Sequence, residues 1–176
     1  MLTVTEAFDE AEAVYREALA IYRTRLGPEH PYVATVSFNL GRLLMTQKNY
    51  AAATPVFREV LALRRKQLGN DHLRVASAAL HLGRALTKLN QLDEAEALLR
   101  EALAIRQATL EPINWLIAYA KLELGICLTA NGRYDEAEPL LQEGLAGIEA
   151  QHGPDHRITE YAREALADLQ NAKREV

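Results

Sequence analysis

A period of 42 residues governs this 176-residue chain. Leu40-Gly41-Arg42 returns as Leu82-Gly83-Arg84 and as Leu124-Gly125-Ile126. Phe8, Tyr50, Leu92 and Tyr134 share one register, as do Ala11, Ala53, Ala95 and Ala137, and Leu19, Leu61, Leu103 and Leu145. The connectors recur as Leu26-Gly27-Pro28-Glu29-His30, Leu68-Gly69-Asn70-Asp71-His72 and Gly153-Pro154-Asp155-His156. A fixed period of this size marks stacked supersecondary units, each too small to bury its own apolar face.

Each period reads as two helices. Val75, Ala79, Leu82, Leu86 and Leu89 follow the three-to-four spacing of one helical face, and Ala95, Leu98, Leu99, Ala102 and Leu103 form a second stripe after a break at Asn90-Gln91. The pattern predicts eight helices, at about 3–25, 31–47, 51–67, 72–89, 93–110, 113–130, 135–151 and 155–173. Asp93-Glu94 and Asp135-Glu136 suit helix starts through the macrodipole, and as adjacent residues they do not face one another for acid/base work. Gly27, Gly69 and Gly153 suit the left-handed position that closes a helix, and Pro31 suits a first turn. The third connector, Leu110-Glu-Pro-Ile-Asn-Trp-Leu-Ile117, loses the glycine, gains a tryptophan and is the irregular joint.

These positions resemble the tetratricopeptide repeat (TPR), specifically the 42-residue kinesin-light-chain-like type. Gly41, Gly83 and Gly125 match the small residue of the first helix, Ala53, Ala95 and Ala137 the alanine of the second, and Tyr50 and Tyr134 the aromatic of the turn. The Leu-Gly-x-(Asp/Glu)-His connector distinguishes the long form. The resemblance implies an all-α fold, a right-handed superhelical TPR solenoid of antiparallel helix pairs. It implies a single TPR domain over 1–176, with a half repeat at 3–30, full repeats at 31–72, 73–114 and 115–156, and a terminal capping helix at 157–174. It also implies a concave groove lined by the first helices, where a peptide segment of a partner protein binds. Phe38, Asn39, Arg42, Met45, His81, Arg84, Lys88, Glu123 and Ile126 would line that groove. Asn39 matches the groove asparagine of kinesin light chain repeats, and His81 and Glu123 replace it in the next two.

Arg42 and Arg84 suit a carboxylate or an acidic peptide segment; the other reading pairs each with a neighbouring glutamate. A net charge of -4 argues against a nucleic-acid partner. No apolar run reaches the about 20 residues of a membrane span, and the N-terminus lacks the basic start and apolar core of a secretory signal. One cysteine, Cys127, suits a reducing, cytoplasmic setting and reads as a small core residue. His30, His72 and His156 share one repeat position, which suits helix capping and not a converging metal site. Trp115 either fills a gap in the irregular joint or anchors a partner. No phosphate loop, nucleophile elbow, cofactor motif or metal-ligand spacing is present, so no enzyme is expected. The alternative to a peptide-binding scaffold is a self-assembling adaptor, a homodimer included. That alternative rests on the N-terminal half repeat, where Val4, Ala7, Ala11, Val14 and Ala18 give an apolar outer face.

Overall fold

The computed structural model describes residues 4–175, with side chains from residue 7 onward. Thr3 and the side chain of Val4, both used above, lie outside the described residues. Eight helices and no strands make up the fold among those residues: α1 (Val4–Leu26), α2 (Pro31–Thr46), α3 (Tyr50–Leu68), α4 (Leu73–Lys88), α5 (Leu92–Thr109), α6 (Trp115–Ala130), α7 (Tyr134–His152) and α8 (Arg157–Arg174). The helices form two compact units, Met1–Leu89 with α1 to α4 and Asn90–Val176 with α5 to α8.

Within each unit every helix packs on its chain neighbour, and α2 also touches α4, as α6 touches α8. These even-numbered helices are the first helices of repeats. The second helices of a unit, α1 with α3 and α5 with α7, show no such direct packing. First helices therefore lie on the inner side of each unit's curvature and second helices on its outer side.

The repeated glycine explains how the two helices of a pair sit so close. A Cβ built on Gly41 would lie 2.7 Å from the Phe57 ring, and one on Gly125 would lie 2.7 Å from Leu141. Phe57 and Leu141 occupy the same repeat position, and both are fully buried. Only a residue without a side chain lets them press onto the facing helix backbone. The glycine is a packing device, not a flexible point.

The chain reversals are also periodic. Lys48, Asn90 and Gly132 take positive φ (59°, 59° and 73°) in the turn inside each repeat. Gly69 and Gly153 end α3 and α7 at φ 81° and 84° with ψ 169°. That is not the left-handed helical conformation expected of them but an extended positive-φ one, which is essentially restricted to glycine. Three of the first helices are capped by a histidine whose Nδ1 accepts a backbone N–H two residues on: Tyr32 to His30 (3.2 Å), Arg74 to His72 (3.0 Å) and Ile158 to His156 (3.2 Å). In the irregular joint Asn114 does the same work, its Oδ1 accepting from Leu116 N–H at 3.0 Å. Asp93, Glu94, Asp135 and Glu136 occupy first helical turns, as expected.

The close approach at Gly41 sets a test. Gly41→Ala should destabilise the protein by about 1–2 kcal/mol, since overpacking outweighs the gain in helix propensity. Phe57→Leu should recover part of that loss, giving a coupling of about 0.5–2 kcal/mol in a double-mutant cycle followed by urea unfolding. Additive effects would show that the two positions do not press on each other.

Candidate functional site

The inner face of the first unit is made by α2 and α4. Neither helix contains an acidic residue, whereas together they carry Arg42, Arg74, Arg84 and Lys88. Arg42 and Lys88 are exposed, and Asn39, Met45 and Arg84 are half-buried.

Phe38 and His81, also expected on this face, are brought together across α2 and α4, with ring centroids 4.9 Å apart. The Phe57 ring lies 5.7 Å from Phe38 and 5.4 Å from His81. His81 Nδ1 lies 2.8 Å from the Ser77 carbonyl oxygen, which fixes the ring through a local helix contact. The Arg64 guanidinium lies over the Phe38 ring at 4.2 Å, a cation–π arrangement. These two groove candidates thus form the floor of the face as well as part of its lining. They connect it to the packed interior through Phe57.

Arg64 is a position that the sequence reading misses. It is buried, and its Nη1 donates to the carbonyl of Arg74 in the first turn of α4 at 2.8 Å. Desolvation, with the nearby Arg74 charge, lowers its pKa to about 10. Arg106, one period later, repeats the contact by donating to the Leu116 carbonyl at 2.6 Å. Its pKa also falls to about 10 through desolvation, against the opposing pull of Tyr119 and Glu123. The 42-residue spacing of the two arginines is a signal available in the sequence.

In the second unit, α6 and α8 supply the inner face. Glu123 is only 3% exposed, so the structure does not bring it to the surface with the cationic candidates. Its Oε2 accepts from the Tyr161 hydroxyl of α8 at 3.4 Å, and its charge acts on Arg106. Burial makes Glu123 a part of the α5–α6–α8 interior. Ile126 is half-buried on α6.

Other candidates resolve into structural parts. Cys127 is buried, with Sγ 3.7 Å from the Leu92 carbonyl oxygen. Trp115 begins α6 half-buried, its ring 4.9 Å from His152 in an edge contact and 6.1 Å from Tyr119. It therefore packs the irregular joint against the end of α7. A recess between the α6–α7 turn and the end of α8 is lined by Arg133, Asp135, Glu136 and Lys173. Its charges are matched: Arg133 to Glu136 (2.6 Å) and to the buried Glu96 (2.5 Å), and Lys173 to Asp135 (3.1 Å) and Glu138 (2.7 Å). Arg133 holds the Glu136 carboxyl below its ordinary range, chiefly by hydrogen bonding.

A depressed carboxyl pKa stabilises the fold above the ordinary value of the group, and that contribution is lost as pH falls through the folded value. Arg133→Gln should return the Glu136 pKa toward its ordinary value in a side-chain NMR titration. No movement would mean that the ion pair does not form in solution.

A family model described as the tetratricopeptide repeat matches residues 2–66, 38–108 and 116–174. Among solved structures, the chain is similar to the nearly identical TPR-like repeats of a putative kinesin light chain from Podosopora anserina. A single-substitution form of those repeats superposes with a TM-score of 0.77 at 27% identity, over 96% of this chain and 79% of that one. A second structure of the same repeats gives a TM-score of 0.75 at 26% identity, over 96% and 80%. BtubC (BKLC) from P. vanneervenii gives 0.74 at 26% identity, over 86% of this chain and 61% of that one. No curated protein sequence matches the chain.

Proposed function

Since the chain belongs to the tetratricopeptide repeat family, whose repeats are in general non-catalytic scaffolds for protein–protein contacts, we propose that its first helices receive an extended peptide segment of a partner protein. The observation that carries this reading is the partition of charge. The chain is acidic overall, with a net charge of -4, yet α2 and α4 hold no carboxylate. Most helical acids lie on second helices, as in Asp93, Glu94, Glu96 and Glu101 of α5, although α8 carries Glu160, Glu164 and Asp168.

Such a face favours a partner segment that carries acidic side chains. Arg42 and Arg84 provide planar donors for carboxylates, and Lys88 adds a mobile point charge. Asn39 offers an amide to the peptide backbone, while Met45 and the accessible edges of Phe38 and His81 supply apolar contact. Exposed charges more than about 8–10 Å apart are largely screened at physiological salt, which limits repulsion from the chain's other acids. No helix among the described residues is long and apolar enough to cross a membrane. A lone, buried cysteine suits the cytoplasm, where we place the protein.

The test is fluorescence anisotropy with a set of labelled extended peptides of graded net charge. Acidic members should bind, and binding should weaken as salt is raised. Replacing both Arg42→Glu and Arg84→Glu should lower affinity at least about tenfold, equal to about 1.4 kcal/mol. Equal binding of acidic, neutral and basic peptides, or an unchanged affinity of the double variant, would overturn the reading.

A further inference from the structure

The outer helix α1 leaves an apolar stripe in solvent that the corresponding helix of the second unit covers. Val14 is 64% exposed and Ile21 is 51% exposed. Their equivalents in α5, two periods on, are Leu98 and Ile105, exposed by only 8% and 7%. Ala7 is exposed one helical heptad before Val14, so Ala7, Val14 and Ile21 lie along one face. Half-buried Ala11 and Ala18 border it on one side, and exposed Glu10 and Glu17 on the other.

We propose that this face of α1 is an interface with a second copy of the chain, in which two α1 helices pack antiparallel about a two-fold axis passing between Glu17 and Ala18. Self-complementarity sets the occupant away from the axis itself, where the two exposed Glu17 side chains adjoin as one like-charge contact. In an antiparallel pair centred there, Val14 faces Ile21 of the second copy, and the exposed Glu10 faces its exposed Arg25. Each contact occurs twice, as an isologous interface requires. Ala11 and Ala18 give the small side chains that let helices approach closely. A parallel pairing would instead set Glu10 against Glu10 and Arg25 against Arg25.

The other arrangement of two copies joins the end of one to the start of the next. In that case α8 would act as the first helix of a repeat completed by α1. The position of Gly41 and Gly125 is taken in α8 by Ala167, and the position of Phe57 and Leu141 is taken in α1 by Tyr15. A Cβ at this contact falls 2.7 Å from the facing side chain at Gly41 and at Gly125. Ala167 thus blocks the close approach, and Glu164 and Asp168 leave the α8 surface polar and exposed. The two-fold arrangement is the one that the side chains accommodate. It is independent of whether the first helices bind a peptide.

One helix face is smaller than the about 800 Å² per partner of a standard interface, so the dimer is expected to form at tens of micromolar or above. Sedimentation equilibrium of the full chain over about 5–500 µM should show the mass rising from 19.6 kDa toward twice that value. Val14→Glu with Ile21→Glu should hold the protein at the monomer mass with an unchanged circular dichroism spectrum. Glu10→Arg and Arg25→Glu should each weaken association several-fold, and the two combined should restore it. A monomer mass throughout, association that survives Val14→Glu with Ile21→Glu, or a double charge exchange that restores nothing would each overturn the proposal.

Discussion

Phe57 lies against α2 because Gly41 presents bare backbone there, and Leu141 lies against α6 because of Gly125. These contacts set the separation of the two helices in a pair, and the separation decides what else can touch. With Phe57 seated so deeply, its ring reaches both Phe38 and His81. The inner face of the first unit is therefore built directly on the contact that defines the repeat. A face supported in this way is ordered by the packing of the repeat itself, and ordering already in place lowers the cost of any binding there.

Polar contacts complete the joints between repeats. The histidine and asparagine caps satisfy backbone donors at the starts of α2, α4, α6 and α8. Arg64 and Arg106 each donate to a main-chain carbonyl in the first turn of α4 and of α6, an additional bond on an oxygen that the helix already uses. Burying a guanidinium is costly, and the lowered pKa of both arginines records that cost. The carbonyl contact, with the cation–π contact over Phe38 in one case, offsets part of it. Hydrogen bonds to charged donors are stronger than neutral ones, so a single side chain suffices to hold the joint.

Much of the fold is legible in the sequence because the period makes each element appear several times. Leu-Gly-x and the Asp-Glu helix starts place all eight helices within a residue or two of their observed ends. Conformational detail is less accessible. Gly69 and Gly153 are recognisable as helix stops, but the extended ψ at both depends on where the following histidine cap must lie. Asn114 escapes notice as a cap because the third connector has Glu111, Ile113 and Asn114 where the others have glycine, an acid and histidine. The site is legible only as a set of surface candidates. Helical periodicity assigns a residue to a face, yet it does not say which neighbour reaches over it. Glu123 follows the register of Asn39 and His81, but Tyr161 meets it, and the pairing of α6 with α8 encloses its carboxylate. Phe38 and His81 meet through a tertiary contact that no spacing within either helix encodes.

Arg64 and Arg106 hold the next helix by a main-chain oxygen rather than by a side chain. The receiving residue is Arg74 in one joint and Leu116 in the other, and the bond is indifferent to the difference. Connectors are thereby released from the task of aligning successive repeats and need only span the gap and cap the helix that follows. The segment at 110–117 shows that freedom in use. Only a backbone oxygen is read at each joint, so the side chain of the receiving residue can differ without loss of the bond.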